Sequence, residues 1–350
     1  MLKSLTSLRF FFALAVFLSH LTFVKTNLVW YNWLKNNVFF EGYLGVGFFF
    51  ILSGFVLALN YERKIIDNPN FNKKKFYIAR VARIYPLHVL TFVIMLPFVI
   101  INVWKGYIHW DIPILNLFLL QSYIPIKDYY FSINNVSWSI STEFFFYIMF
   151  PFFVIWLHKF PKLKYLLLLI ILVIFITEPY FRSDLALEKG IFYINPIVRS
   201  FDFILGIITF QIYDKIKNYK IDTIKGNLLE IASILILGIF FYFHLDIQRA
   251  FRYGIYYWIP MVAIVLTFAL QKGFISKILQ HKIFVYLGEI SFSFYMIHMI
   301  IIKYGNQYLP KINDFTRIAI YFVVALFLSA IIFEYFEKPI AKWIKKRFSV

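Results

Sequence analysis

Long apolar runs recur along the whole chain and constrain its fold more than any other feature. Ten of them approach or reach the ~17–25 residues that a helix needs to cross a bilayer. They fall near residues 8–24, 38–60, 86–104, 138–158, 164–180, 196–213, 228–245, 255–270, 283–303 and 318–337. Lipid offers the backbone no hydrogen-bond partners, and a helix satisfies its own. The sequence therefore predicts an all-α fold, a polytopic membrane helix bundle of about ten transmembrane helices.

The composition agrees with lipid as the solvent of this chain. Hydrophobic residues make up 61% and charged residues only 15%, whereas about a quarter of a soluble domain is charged. The absence of cysteine excludes disulfides and thiolate metal sites. We expect residues 1–350 to form a single transmembrane domain without an appended soluble domain.

An eleventh apolar run, from Ile112 to Ile124, is short and contains Pro113 and Asn116. A full crossing needs a longer uninterrupted helix. We therefore predict an interfacial or re-entrant segment at this point of the chain.

The net charge of +18 lies almost entirely in the short segments between the apolar runs. If the N-terminus is inside, the inside segments hold 23 Lys and Arg residues and the outside segments 11. The positive-inside rule then places both termini in the cytoplasm, in a multi-pass protein of the inner (plasma) membrane. Anionic lipid of the bilayer is the expected counter-charge, and the hydropathy excludes a soluble nucleic-acid binder.

Charged groups at membrane depth are costly and are functional candidates for that reason. Arg9 and His20 are eleven residues apart, so they share one helix face and lie ~16 Å apart along it. Glu143 lies ~8 Å inside the fourth span, at a depth similar to that of His20. A carboxylate that orients an imidazole forms a general-base site. A serine nucleophile, Ser139 or Ser141, remains an alternative, although no Gly-x-Ser-x-Gly elbow is present.

A basic cluster precedes the third span, with lysines at 73–75 followed by Arg80 and Arg83. The two arginines project from one helix face, and paired guanidinium groups suit phosphate. The lysines can also anchor the chain to lipid headgroups. We predict an anion site formed by Arg80 and Arg83, completed by Arg9 and Lys75. Glu337 is expected to form a structural salt bridge with these arginines.

Other polar or aromatic residues lie near the predicted outer ends of spans. Candidate substrate contacts there are Trp138, Ser139, Ser141, Arg199, Tyr295 and His298, and Arg199 could instead pair with Asp202. The seven histidines are scattered, with no His-Glu-x-x-His pattern, so no metal site is expected.

With these residues in view, the chain resembles the acyltransferase-3 family of bacterial membrane acyltransferases over almost its whole length. The matching motifs, in order, are Ser7-Leu8-Arg9 with His20, residues 45–55, Arg80 to Pro86, Trp138 to Glu143, Ser291 to His298 and Glu337-Lys338-Pro339. Thr142 stands where the family often has Val. The resemblance implies an enzyme that moves an acyl group, usually acetyl, from cytoplasmic acyl-CoA to a sugar hydroxyl.

The resemblance also implies a class of acceptor. Members of the family act on O-antigen, capsule, exopolysaccharide, peptidoglycan, macrolides and nodulation oligosaccharides, and some carry an additional esterase-like domain. This chain is therefore expected to acylate a lipid-linked or exported glycan directly, or to pass the group to a separate periplasmic or extracellular acyl-acceptor protein.

The site implied by motifs and spacing together is one passage through the bundle. Acyl-CoA docks its phosphates on Arg80, Arg83 and Arg9, and its arm reaches His20, which acts as general base or as a transient acyl-imidazole. A transporter or glycan flippase would use the same intramembrane charges but usually has internal repeats, and none is evident. A membrane scaffold is the remaining alternative, and it gives no reason for His20 and Glu143 to share one depth.

Overall fold

The computed structural model describes residues 2–181 and 184–348, and the regular structure of these residues is entirely helical. The helices are α1 (Lys3–Ser19), α2 (Val29–Asn37), α3 (Leu44–Ile66), α4 (Lys73–Trp104), α5 (Asp111–Leu117), α6 (Lys127–Tyr130), α7 (Trp138–Lys159), α8 (Leu163–Phe181), α9 (Leu185–Lys189), α10 (Pro196–Ile216), α11 (Thr223–Tyr242), α12 (Arg249–Arg252), α13 (Trp258–Leu270), α14 (Phe274–Leu279), α15 (Lys282–Tyr308), α16 (Asp314–Ile332) and α17 (Lys338–Arg347). The predicted all-α fold is confirmed.

Each of the ten predicted crossing segments overlaps one of these helices. Seven helical stretches in the described residues are long and apolar enough to cross a membrane by length and composition. Helices α1 and α13 fall below that length, with 17 and 13 residues. The structure thus establishes a bundle with multiple apolar helices, while the count of ten crossings stays a prediction.

The short run from Ile112 to Ile124 does not form a crossing helix. It folds into the seven-residue α5 and a 3₁₀ turn at Gln121–Tyr123. Asn116, 1% exposed, anchors this segment. Its side-chain NH₂ group donates to Ser132 Oγ at 3.0 Å, and its backbone carbonyl accepts from His88 Nε2 at 2.9 Å. These bonds tie the segment to α4 and to the residues before α7 where the helical pattern stops.

Glycines allow the central helices to pack against one another at backbone distance. A Cβ placed on Gly54 of α3 would lie 2.0 Å from the carbonyl oxygen of Phe203 in α10. A Cβ on Gly206 of α10 would lie equally close to the carbonyl of Ile51. Gly54 in the second predicted span and Gly206 in the sixth therefore serve close helix packing.

The bundle has two distinct ends. We call the end that holds the first turns of α1 and α4 and the helix α17 the basic end, and the other the far end. Leu2 and Lys346 line the same cavity at the basic end, so both ends of the described chain lie on one side of the bundle. The charge pattern predicts that this side is cytoplasmic.

Candidate active site

A cavity of about 170 Å³ lies in the middle of the bundle, and three arginines line it. Arg9 comes from α1, and Arg80 and Arg83 come from α4. Glu143 of α7 is the single acidic residue of the lining. The sequence predicted that these three arginines form one group, and the structure brings them together in this central cavity.

The arginines of the central cavity differ in how they are held. Arg83 Nη1 donates to Glu337 Oε1 at 2.5 Å, and Ser293 Oγ donates to Oε2 of the same carboxylate at 2.8 Å. The predicted structural role of Glu337 is confirmed. Arg80 lies over the rings of Tyr61 and Tyr147, with 5.4 and 5.8 Å from Cζ to the ring centroids.

Arg9 has no ion pair or hydrogen bond to any part of the chain that the structure describes. Its guanidinium lies in the field of Arg83, Glu337 and Glu143. A half-buried cation at membrane depth without a direct partner is energetically costly, and such groups normally meet a ligand or line a water-filled space. Arg9 is therefore the most available cation of the central cavity.

The central cavity joins a larger one of about 1,050 Å³ at the basic end, because Arg9, Leu52, Val56 and Arg83 line both. Six basic and two acidic side chains line this basic-end cavity. Four of the basic residues belong to α17: Lys338, Lys342, Lys345 and Lys346. The space that leads to the arginines is therefore strongly positive.

Sequence reasoning missed the α17 lysines and chose Lys75 instead. Lys75 is exposed in the first turn of α4 and lies outside the lining of these cavities, so the structure does not place it in the anion site. The four lysines follow an i, i+4, i+7, i+8 pattern, which puts them on one helix face. This spacing is visible in the sequence and indicates a basic helix face. From the sequence, these lysines were assigned only to the inside–outside charge bias.

His20 lies at the end of α1 and lines a third cavity, of about 480 Å³, at the far end. Its Nδ1 is 2.8 Å from the carbonyl oxygen of Val16 and 3.2 Å from Nε2 of His298. A carbonyl oxygen can only accept, so Nδ1 of His20 carries the proton. In the neutral ring Nε2 then bears the free lone pair, and no described side chain bonds to it. This is the arrangement that a general base needs.

His298 is fully buried, at 0% exposure, and lies outside the lining of the far cavity, so the structure does not support its predicted substrate contact. Its Nδ1 donates to the carbonyl of Tyr295 at 2.6 Å, so its Nε2 is free to accept from His20. His298 therefore fixes the ring of His20. The two residues were predicted near one end of the bundle, but their contact was not foreseen.

The predicted pairing of His20 with Glu143 is wrong. Glu143 accepts hydrogen bonds from Ser53 Oγ at 3.1 Å and from Tyr147 OH at 2.6 Å, and it faces the central cavity. The far cavity and the central cavity share only Val46 and Tyr295 in their linings. The single open passage expected from the sequence is therefore two cavities, with these two side chains at their boundary. Matching depth along two helices does not fix the rotation that decides which faces meet.

The hydroxyl and aromatic residues around Glu143 separate into two groups. Trp138 and Tyr295 line the far cavity, and Ser139, bonded to Tyr295 OH at 2.8 Å, lines the central cavity. Ser141 is completely buried and bonds to Ser122 Oγ at 2.6 Å and to the carbonyl of Leu119. Its internal partners do not support the predicted substrate contact.

Arg199 is also held internally. It is 1% exposed, its Nη2 is 2.8 Å from Asp202 Oδ2, and its Nη1 donates to the carbonyl of Tyr253. The alternative of an internal pair with Asp202 is confirmed, and these internal partners do not support the predicted substrate contact of Arg199. The pair lies within α10, and the bond from Arg199 to Tyr253 links α10 to the segment before α13.

Comparison with known proteins assigns the chain that carries these cavities to a family. The acyltransferase domain family matches residues 2–334. Acyltransferase MdmB of Streptomyces mycarofaciens is 30% identical over 328 residues, which are 87% of this chain and 80% of that protein. Peptidoglycan O-acetyltransferase OatA of Listeria monocytogenes is 24% identical and is matched over 97% of this chain.

The chain spans 56% of the length of the Listeria protein. No solved structure matches it. The family match covers nearly the whole chain and includes α1, α4, α7 and α15, which carry the arginines and histidines described above. The chain belongs to the acyltransferase-3 family and is an O-acyltransferase.

Proposed function

We propose that this enzyme moves an acyl group, most simply acetyl, from cytoplasmic acyl-CoA to a hydroxyl of a cell-surface or exported carbohydrate. One observation carries the proposal. A positive entrance at one end of the bundle leads to three arginines, and the other end presents the free Nε2 of a fixed histidine. A donor with several phosphates and an acceptor with hydroxyls match these two ends.

The donor end suits coenzyme A because its phosphates are multiply charged. The α17 lysines attract the anion into the basic-end cavity, Arg9 and Arg83 lie where that cavity meets the central one, and Arg80 lines the central cavity. Guanidinium groups bind phosphate bidentately and stay charged at depth. In this proposal the pantetheine arm extends through the central cavity towards the boundary at Tyr295 and Val46.

The acceptor end supplies the base. The hydroxyl oxygen of the carbohydrate attacks the thioester carbonyl while His20 Nε2 takes the hydroxyl proton. The carbon–sulfur bond breaks, and the proton passes to the departing sulfur, giving an ester and free CoA. Alternatively, Nε2 first takes the acyl group and passes it to the hydroxyl in a second step. His298 holds His20 in the required tautomer in both schemes.

The boundary between the two cavities has a direct consequence for this mechanism. The thioester must meet His20, so the side chains of Tyr295 and Val46 have to move apart when the acyl arm enters. Tyr295 is held by its hydrogen bond to Ser139 Oγ. Breaking that bond opens the passage, and it closes again once CoA withdraws, which limits leakage between the two sides of the bilayer.

The carbohydrate acceptor is supported by a relative. The Listeria protein is named a peptidoglycan O-acetyltransferase, and a glycan of that kind lies outside the membrane. The chain covers about half of that protein's length, so we propose direct transfer to a lipid-linked or exported glycan, or transfer through a separate acyl-acceptor protein.

The proposal predicts that donor binding and chemistry separate between two variants of the purified protein in lipid nanodiscs. His20→Ala removes the base, so transfer of radiolabelled acetyl from acetyl-CoA should fall at least ~100-fold with acetyl-CoA affinity unchanged. Arg9→Gln removes the unpaired cation, so the Kd for acetyl-CoA should rise about tenfold.

Matched controls exist for both variants. His109 is 66% exposed and lies outside the three cavities, and Arg63, 69% exposed, forms a surface pair with Asp214. His109→Ala and Arg63→Ala should leave transfer and affinity close to those of the parent protein. Transfer that survives His20→Ala would remove the catalytic assignment, and an unchanged Kd in Arg9→Gln would remove the donor site.

A further inference from the structure

The far cavity has a chemical character that the transfer reaction alone does not require. Its volume of about 480 Å³ falls within the ~300–1,000 Å³ of typical small-molecule sites. His20 lies on its wall, so under the function proposed above this is where the acceptor would bind. The lining shows what kind of carbohydrate fits.

One wall of the far cavity is aromatic. The ring centroids of Trp138 and Tyr193 are 4.6 Å apart, those of Tyr193 and Tyr253 4.9 Å, and those of Tyr43 and Tyr253 5.2 Å. Such a continuous aromatic surface suits the apolar face of a sugar ring, and the hydroxyls of Tyr residues give it polar edges.

The one acidic residue of the lining is already neutralised. Glu41 is 2% exposed and forms an ion pair with Arg252 at 2.6 Å. It also accepts from Tyr257 OH at 2.8 Å and from Tyr43 OH at 2.9 Å. Glu41 and Arg252 therefore offset each other's charge, and the carboxylate is already bonded to two tyrosine hydroxyls.

Two further cations of the lining have no such partner. Lys189 and Arg249 form no ion pair with any described side chain. Lys189 Nζ lies over the rings of Phe131 at 4.8 Å and Tyr193 at 5.6 Å, and its strongest charged neighbours are Arg249 and Lys127, both cations. Glu188 is buried, at 3% exposure, and does not line the cavity.

The excess of positive charge beside the aromatic wall of the far cavity favours a negatively charged ligand. A neutral sugar would leave Lys189 and Arg249 uncompensated, whereas an anionic group would pair with both. We infer that the far cavity is a binding site for an anionic carbohydrate, whose carboxylate or phosphate contacts Lys189 and Arg249 while its ring packs on the aromatic wall. Within the proposed function, this sugar is the acceptor.

The test compares three sugars that differ at one carbon. Methyl glucoside, methyl glucuronide and methyl glucoside 6-phosphate carry a hydroxymethyl group, a carboxylate and a phosphate on the same ring. We expect the protein in nanodiscs to bind at least one of the two anions about tenfold more tightly than the neutral glucoside. A preference for the carboxylate identifies uronic acids, and a preference for the phosphate identifies phosphorylated sugars.

Variants then connect that preference to the two cations. Lys189→Gln and Arg249→Gln should reduce it, and the double variant should abolish it, with the affinity for methyl glucoside unchanged as a check on folding. Lys105→Gln, an exposed cation outside the far cavity, should leave it intact. Equal binding of the three sugars, or a preference that survives in the double variant, overturns the inference.

The binding measurement is independent of turnover. If the charge preference is found and depends on Lys189 and Arg249, but no sugar is acylated from acetyl-CoA, then the anionic-sugar site stands and the proposed transfer fails. If transfer occurs equally well to neutral and charged sugars, the proposed function stands and the inference fails.

Discussion

At the scale of single residues, the His20–His298 pair decides which nitrogen can do chemistry. The carbonyls of Val16 and Tyr295 accept from Nδ1 of His20 and of His298, which fixes both tautomers. The lone pair of His298 Nε2 shares the proton on His20 Nδ1 with the Val16 carbonyl. The neutral His298 supplies an acceptor without bringing a charge into the bundle, whereas a carboxylate at this place would bring one.

This geometry predicts that His298 acts through an acceptor atom at the position of its Nε2. His298→Phe keeps the bulk but removes the acceptor, so kcat for acyl transfer should fall by up to about 100-fold with little change in the KM for acyl-CoA. His298→Gln places an amide oxygen near the position of Nε2, and it should recover much of that loss. The measurement is steady-state kinetics of both variants.

A purely structural role for His298 would give a different pattern. Burying the polar amide of glutamine among aromatic rings is costly, so glutamine should then be the worse replacement. Both variants should also lose thermal stability in proportion to their loss of activity. Recovery of kcat in His298→Gln is thus the outcome that distinguishes positioning from packing.

At the scale of helices, the contact between α3 and α10 supports the site. α3 carries Ser53, which bonds to Glu143, and Val46 at the cavity boundary. Gly54 and Gly206 bring the two helix backbones into direct contact. A larger residue at either position must push the helices apart, and the central cavity would change shape with them.

Two single-methyl substitutions test this packing. Gly54→Ala would place Cβ 2.0 Å from a backbone oxygen that cannot rotate away, so we expect a loss of about 1–3 kcal/mol and a lower Tm. Gly238→Ala in α11 meets nothing within 4 Å and should leave Tm equal or slightly higher, because alanine favours helix. Equal Tm values for both variants would contradict the close α3–α10 contact.

The sequence predicted where the helices are but less well where they end. Hydropathy marked ten helical segments because lipid-facing and core positions are both apolar. It could not show that the segment before α3 forms the 3₁₀ turn Phe39–Tyr43, or that α13 has only 13 residues. Such breaks depend on local tertiary contacts, for example Glu41 with Arg252. The mean hydropathy of a sequence window does not detect them.

The sequence predicted the members of the site better than their partners. Arg9 and His20 on one helix, and Arg80 and Arg83 on another, follow from helical periodicity. The structure places the three arginines on the central cavity and His20 on the far cavity, where the sequence predicted one passage. The partner of His20 required the relative rotation of α1, α7 and α15. That rotation is set by side-chain packing across helices, and one sequence does not contain it.

At the scale of the whole molecule, charge divides the bundle into two unlike ends. The basic-end cavity holds the α17 lysines, and the far cavity holds His20 and the aromatic wall. Helix α4 has 32 residues and spans ~48 Å, more than the ~30 Å of a hydrocarbon core. Lys74 in its first turn and Lys105 just after its last residue are both exposed. These two positions are therefore expected to lie on opposite sides of the membrane.

The absence of cysteine makes the orientation directly measurable in cells. Positive-inside topology predicts that Lys105→Cys reacts with a membrane-impermeant maleimide in intact cells, whereas Lys74→Cys reacts only after permeabilisation. The parent protein provides a background without thiols, and acyl transfer should persist in both variants, because neither lysine lines a described cavity. The reverse labelling pattern would place the arginines on the outside, away from cytoplasmic acyl-CoA. It would contradict the direction of transfer while leaving the chemistry at His20 intact.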